Sequence, residues 1–250
     1  NLKINMLPKN FKPKKNYDLI RLGKNNDGGY LVEKNSIKNT KTLISFGVEG
    51  DWSFESHFKS HNNIKVFAYD HTLNNHFWSR QTRDLQSSFN DFFTNKKGNY
   101  FFPKKIGKTG LKYFENISLE IPEIFNNLEF NFFGGIKPFF FKIDIEGSEY
   151  RILDDLINYK EDIEGIVIEF HDADLHLEKI DKFLIDIDLE LCHIHANNFQ
   201  NTNKFGIPSV LELTFSKNPI KLNDNPVNLP NLLDQKNNPD YDEIILNFKN

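Results

Sequence analysis

The chain has 250 residues, 38% hydrophobic and 26% charged, with a formal net charge of −4. That length suits one large α/β domain, or a domain of ordinary size with appendages, and a contiguous core then needs no covalent staple. A lone cysteine, Cys192, excludes an intrachain disulfide framework and fits a reducing compartment, so the cytoplasm is the expected location. Basic residues are dispersed except for Lys3, Lys9, Lys12, Lys14 and Lys15 at the start, which is not the basic stripe of a nucleic-acid binder. No apolar run approaches the roughly 20 residues of a membrane span.

In chain order, residues 1–40 read as a lead-in segment packing on a domain that occupies 41–217. Within that domain, apolar runs of strand length cover residues 42–46, 65–69, 100–102, 138–145, 163–170, 189–194 and 210–215. Between the early ones lie helix-length segments, an alternation that predicts a mostly parallel sheet with helices on both faces. Residues 125–137, with Gly134-Gly135, read as a loop before the fourth strand. After Ser148, the residues Ile152, Leu153, Leu156 and Ile157 make one apolar stripe. Asp174 is a candidate cap for a later helix, whose buried face is Ile180, Phe183, Leu184 and Ile187. Residues 218–250, with several Asn and four prolines, read as an irregular extension. The 25 Phe, including Phe139 to Phe141, are expected to fill the core, and Trp52, Trp78 and Tyr113 to pack generically rather than line a pocket.

The first strand runs into Gly47-Val48-Glu49-Gly50-Asp51. Two glycines after a buried strand allow a sharp turn that lies close against a ligand, next to the free N–H groups of the following helix. The second strand ends at Asp70, twenty residues beyond Gly50, where a carboxylate can accept both ribose hydroxyls of an adenosine. Asp70→Ala is then expected to weaken cofactor binding and leave stability nearly unchanged. NAD and S-adenosylmethionine share this geometry, but the spacing is not the dinucleotide G-x-G-x-x-G, which favours the methyl donor.

Residues 142–149 read Lys-Ile-Asp-Ile-Glu-Gly-Ser-Glu, with Lys142, Asp144, Glu146, Gly147, Ser148 and Glu149 in the pattern of a fourth strand running into a helix. This stretch closely resembles the FkbM family of methyltransferases. Upstream, Arg21-Leu22-Gly23 and Asp27-Gly28-Gly29-Tyr30 are similar to that family's lead-in. Downstream, His193 to Asn198 and Glu212 to Phe215 resemble its last strands, so the likeness covers roughly residues 20–216. Where the family carries an acid two positions before the first glycine, this chain has Ser45, and Glu49 or Asp51 is left to serve the cofactor's amino end. The resemblance implies a Rossmann-like methyltransferase fold: a seven-stranded, mostly parallel sheet with its last strand reversed and inserted between the fifth and sixth. It also implies S-adenosylmethionine bound by Arg21, Gly28, Gly47, Glu49, Gly50, Asp70 and Asp144. The implied reaction is methyl transfer to a hydroxyl of a sugar, as a nucleotide-linked sugar or a surface-polysaccharide precursor. A small natural product or lipid as acceptor, or a non-catalytic donor-binding domain, stay open as other readings. The expected partners are the acceptor and further copies of the chain in a homo-oligomer; nucleic acid is not expected.

Three pairs of ionisable residues recur at a spacing of two: Asp144 and Glu146, Glu169 and His171, His193 and His195. On extended strand ends each pair projects to one side, at the carboxyl edge where open α/β sheets bind ligands. His171 and His195 are candidate general bases for the acceptor hydroxyl, with Asp144 and Glu169 beside them. Alternatively Asp144, Glu169 and His195 hold a divalent cation, and that mixed donor set suits Mg or Mn better than structural zinc. The loop at Asn197-Asn198 is expected to reach back over the sheet and bring His195 to the same cleft. Glu149 also fits an ordinary first-turn carboxylate, and His57, His61, His71 and His76 fit solvated faces.

Overall fold

The computed structural model describes residues 6–107, 118–130 and 134–249. Tyr113 and Lys3 lie outside the described residues. The main sheet has seven strands: β1 Thr42–Phe46, β2 Lys65–Tyr69, β3 Asn99–Phe102, β4 Phe139–Ile143, β5 Ile163–Phe170, β6 Glu190–Ala196 and β7 Leu211–Ser216. Their order is β6-β7-β5-β4-β1-β2-β3. The pairings among β1 to β5 are parallel, and β7 runs antiparallel to both β5 and β6. The last strand is therefore reversed and inserted between the fifth and sixth. This is the Rossmann-like methyltransferase fold.

Every residue of β1, β4 and β5 is buried, because both faces of the sheet are covered. Alternation along these strands divides the core in two. Ile44, Phe46, Phe139, Phe141, Ile166 and Ile168 face one core, with Phe125, Leu156, Ile180 and Phe183 packed among them. Those last four come from the helices α5 Ile121–Phe130, α6 Leu153–Asn158 and α7 Leu177–Asp186, which follow α3 Asn75–Trp78 and α4 Arg83–Phe92 in the chain. Leu43, Phe140 and Val167 face the other core, against Ile37 of α1 Lys34–Asn39 and Phe54 and Phe58 of α2 Ser53–His61. Three consecutive Phe in β4 are thus shared between two cores.

Two local expectations fail. Residues 125–130 belong to α5, where Ile121, Ile124 and Phe125 form a buried i, i+3, i+4 face that outweighs the poor helix formers Asn126 and Asn127. Asp174 does not cap α7: the N-cap is His176, and the Asp174 carboxylate accepts from Asn203 Nδ2 at 3.1 Å.

Two further pieces surround the strand ends. A hairpin pairs Leu19–Leu22 with Tyr30–Glu33 and lies against β7, where Thr214 Oγ1 donates to Leu31 O at 2.6 Å. The chain after β7 is irregular apart from a short strand, Lys221–Asn223, that pairs with Asn16–Tyr17. It is anchored by side chains: Asn198 Nδ2 donates to the carbonyls of Asn238, Tyr241 and Asp242. No described helix is long and apolar enough to cross a membrane.

Candidate functional site

The carboxyl ends of β1, β2, β4 and β5 meet at one edge, and the turns there leave ordinary backbone space. Glu49, Glu146 and Asp172 all have positive φ (50°, 53° and 50°), each two or three residues beyond the end of β1, β4 or β5. Such strain in residues with side chains is sustained only where the surroundings enforce it, and it collects at functional sites. Gly47 has φ +78°, and a Cβ there would sit 1.7 Å from Asp144 O. No residue but glycine fits between the first and fourth strand ends.

Asp70 holds this turn. Its Oδ2 accepts from the N–H groups of Val48 and Glu49 at 2.9 and 2.7 Å, and its Oδ1 from Thr72 N and Oγ1 at 2.7 and 2.6 Å. The residue is only 4% exposed. A carboxylate offers about four acceptor positions, and all are engaged by the chain itself. The expectation that Asp70 contributes little to stability is therefore corrected: it fastens the glycine turn, and ribose hydroxyls would have to share its oxygens.

Two clefts flank the turn. The first, about 270 Å³, runs from Tyr69, Asp70, His71 and Thr72 past Ile106 to Ile145 and Ser148. The second, about 230 Å³, lies between Lys24, Asp27 and Gly28 of the hairpin turn and Gly50, Asp51, Phe54 and Glu55. Gly47, Glu49 and Asp144 line both. Burial, then Asp144, Glu146 and Asp70, raise the pKa of Glu49, so acidic charge is crowded around it, while Lys104 and Lys105 line the first cleft. Lys142 opposes that acidic charge. Burial works against the Lys142 charge, but Asp144, Glu55 and Glu169 outweigh it and raise its pKa, while its Nζ donates to Gly47 O and stands 3.6 Å from Asp144. Ser45 donates to Glu55, which is fully buried, so an acid from α2 reaches the place where the resemblance leads one to expect an acid in the strand.

Beside this junction, single donor atoms of Asp144, Glu169 and His171 all lie within 4.8 Å of one another. His171 Nε2 is 3.5 Å from Glu146, 3.7 Å from Glu169 and 3.9 Å from Asp144, and its Nδ1 is 3.0 Å from Glu149 Oε1. Burial disfavours the imidazolium, yet the hydrogen bond and charge of Glu149, with Glu169 and Asp144, push its pKa up to about 9. Tyr30 Oη lies 3.0 Å from Asp144 Oδ2 and 2.9 Å from Glu169 Oε2. A phenol has one proton, so the second contact is favourable only with a proton on one carboxyl. Burial, then Asp144 and Glu212, raise the pKa of Glu169 well above its ordinary value, so of the two carboxyls it is the one that more readily holds a proton.

The sequence expectations divide accordingly. Asp144, Glu146, Glu169 and His171 come together, and Asn197 reaches back over β7 to donate to Glu169 Oε1 at 3.0 Å. His195 does not follow. Its ring is buried between Glu212 Oε2 at 3.1 Å and Glu243 Oε1 at 2.8 Å, because β7 separates β6 from the cleft, and His171 takes its place in the candidate ligand set. Burial again opposes the charge of His195, but the bonds to Glu212 and Glu243 raise its pKa to about 10. Both histidines thus hold a proton more tightly than a free imidazole, which favours the role of a hydrogen-bond donor over that of a base. His193 joins the same separate network, 2.8 Å from Asp234.

Arg21 lines neither cleft; its guanidinium donates to Asn26 O at 2.6 Å and sits behind Gly29, where it folds the hairpin turn. Gly28, Gly47, Glu49, Gly50, Asp70 and Asp144 do line the clefts. His71 lines the first cleft rather than an outer face. Trp52 and Trp78 pack on Phe89 in a side cluster, as generic packing requires. Glu149 is fully buried, accepting from the N–H groups of Ile145 and Gly147 as well as facing His171. The sequence assigned no role to Tyr30, although it ends the motif Asp27-Gly28-Gly29-Tyr30; the Asn197-Asn198 loop was expected to reach over the sheet, and it does so to hold Glu169 rather than to carry His195.

No protein-family model and no curated protein matches the chain. Among solved structures it is similar to a precorrin-6y C5,15-methyltransferase from Geobacter metallireducens GS-15, at 12% identity over 74% of this chain and 85% of that one, with a TM-score of 0.38. The fibrillarin pre-rRNA processing protein of Methanococcus jannaschii is 11% identical over 86% of each chain, with a TM-score of 0.40. TrmK of M. capricolum, in complex with S-adenosyl-homocysteine, is 14% identical over 74% of this chain and 66% of that one, with a TM-score of 0.37. At these values the likenesses carry no argument, and the fold stands on the strand order described above.

Proposed function

We propose that the chain is an S-adenosylmethionine-dependent O-methyltransferase of the FkbM kind, acting on a hydroxyl of a sugar in nucleotide-linked or surface-polysaccharide-precursor form. The observation that supports the donor is the crowding of carboxylates beside the glycine turn, where Glu49 and Asp144 line both clefts and Glu146 the first. A sulfonium is favoured beside these carboxylates, and the spacing of the glycine turn, which is not the dinucleotide pattern, points the same way. The acceptor class rests on the resemblance at residues 142–149.

The donor supplies an electrophilic methyl group; the chain must orient a hydroxyl toward it and take its proton. Asp144 Oδ2 is engaged by Tyr30, which leaves Oδ1, 3.9 Å from His171 Nε2, as the atom facing an acceptor. His171, held protonated by Glu149, offers Nε2–H to orient the acceptor oxygen, and Asp144 Oδ1 receives the proton. Tyr30 and Asn197 keep Glu169 and Asp144 in register. The donor set Asp144, Glu169 and His171 also fits Mg or Mn, which would lower the pKa of an acceptor hydroxyl. Both His171 and Glu169 would have to shed protons to bind it.

The test is transfer of labelled methyl from S-adenosylmethionine to a panel of sugars and nucleotide sugars, with and without EDTA. His171→Ala should cut turnover by about 10²–10³-fold, the effect of losing one positioned hydrogen-bond donor, with a much smaller change in affinity for S-adenosylhomocysteine. Activity abolished by chelation and restored by manganese assigns the ion; indifference to EDTA assigns the work to Asp144 and His171 alone. Tight binding of NAD with no response to the methyl donor sinks the proposal.

A further inference from the structure

Two side-chain amides tie the hairpin turn to a pair of carboxylates on the sheet, and one of them comes from the C-terminal extension. Glu169 of β5 and Glu212 of β7 stand opposite each other as register partners. In the hairpin turn, Asp27 Oδ1 accepts from Asn237 Nδ2 at 3.2 Å and makes a longer contact of 3.5 Å with Asn197 Nδ2. The same nitrogen of Asn197 donates to Glu169 Oε1 at 3.0 Å, and that of Asn237 to Glu212 Oε1 at 2.6 Å. Each NH2 group thus spends its two hydrogens on two carboxylates. The bonds continue from Glu212 Oε2 through the His195 ring to Glu243 in the extension.

The Asn237 amide has one workable orientation, because turning it over would set its oxygen against both carboxylates. As it stands, Asn237 is 2% exposed and its Oδ1 has no hydrogen-bond partner among the described residues. A buried carbonyl left unpaired is a cost that packing alone does not require, and such costs gather at functional positions. The segment around it, residues 231–243, is fastened on both sides. Gln235 Oε1 accepts from Asn26 N–H at 3.0 Å and Lys236 O from Asn26 Nδ2 at 2.8 Å, next to Asp27. Asn238 N–H donates to Asn198 Oδ1 at 2.7 Å. Asn237 lines neither cleft, whereas Asp27 lines the second, so Asn237 acts there through Asp27.

We infer that Asn237 is a positioning residue of the site, through which docking of residues 231–243 and binding of the donor favour one another. A ligand lodged against the hairpin turn fixes Asp27, the acceptor of the Asn237 bond. A docked extension, in turn, presents the hairpin turn already in place. Linkage makes the two effects equal in size. The inference rests on the donor reading proposed above, since it needs a ligand that orders the turn.

The experiment joins amide hydrogen exchange to titration calorimetry, with S-adenosylhomocysteine as the probe. In the unmodified protein, saturating ligand should slow exchange over residues 231–243 by about five- to twentyfold, although that segment is fastened by local contacts that open on their own. In Asn237→Ala the affinity for S-adenosylhomocysteine should fall by the same factor. The slowing over residues 231–243 should vanish there, while exchange elsewhere in the chain keeps its response to the ligand. Asn237→Leu, which keeps the volume without the amide, should behave like Asn237→Ala; full affinity in Asn237→Leu makes the residue a spacer and overturns the inference. So does slowing over residues 231–243 that persists in either variant. The exchange measurement on the unmodified protein needs no variant to fold: binding with no slowing over residues 231–243 overturns the coupling and leaves the donor reading intact. If S-adenosylhomocysteine does not bind, the donor reading falls and the coupling with it.

Discussion

Asp70→Ala is the most informative single change, because the carboxylate it removes serves both the fold and the site. Three backbone N–H groups, of Val48, Glu49 and Thr72, lose their acceptor together. Each orphaned amide costs about 1–3 kcal/mol when sealed from water. Here the space vacated opens on the first cleft, so water can reach it, and the sum falls to roughly 2–4 kcal/mol. For a chain of this size that is a fall in Tm of about 5–15 °C. Asp70→Asn should cost about half as much, because its amide must face donors on one side while its oxygen still accepts on the other. Scanning calorimetry measures the stability and titration with S-adenosylhomocysteine measures the site, where affinity should drop at least about tenfold as the glycine turn loosens. A Tm within about 1 °C of the unmodified protein would refute the anchoring role, since no arrangement of water replaces four good bonds at no cost.

Two further changes discriminate steric from conformational demand. Gly47→Ala must clear the Asp144 carbonyl as well as adopt positive φ, whereas Gly147→Ala at φ +89° meets nothing within 4 Å. The first should cost well over about 3 kcal/mol and the second about 1–2 kcal/mol, read by urea unfolding; equal costs would refute the close approach of β1 and β4. The buried histidines set a pH dependence. His195 and His171 have folded pKa values of about 10 and about 9 against an ordinary 6.5, so their contribution is complete below pH 6.5 and is lost as pH rises through 9 to 10. Stability should fall on the order of a few kcal/mol between pH 7 and 10, more shallowly in Glu243→Gln, and a flat profile would show that the two rings are neutral in the folded chain.

Strand positions were legible because they are local: each of the seven apolar runs meets a strand, with ends that shift by no more than a couple of residues. The reversed seventh strand followed from the resemblance rather than from any residue in the strand itself. The helix over residues 121–130 was missed in part because Asn126 and Asn127 look like a loop until Phe125 is seen buried against Phe139 and Phe141. Strand adjacency placed Asp144, Glu146, Glu169 and His171 at one edge; only Glu169 stands on a strand, the other three lying in the turns just past β4 and β5, where alternation along a strand no longer applies. A spacing of two in β6 brought His193 and His195 to one side but could not say which.

What the sequence determines here is which residues stand at strand ends, and hence the menu of groups near the cleft. Their protonation and their partners were decided by contacts across long separations. Tyr30 meets Asp144 and Glu169 from 114 and 139 residues away, and Glu243 closes over His195 from 48 residues beyond it. A histidine looks like a base until the carboxylates around it are counted, because its charge depends on the local field and not on its own chemistry. That field exists only once hairpin, sheet and tail have packed together, and it turned His195 from a catalytic candidate into a buried cation binding the tail to β6.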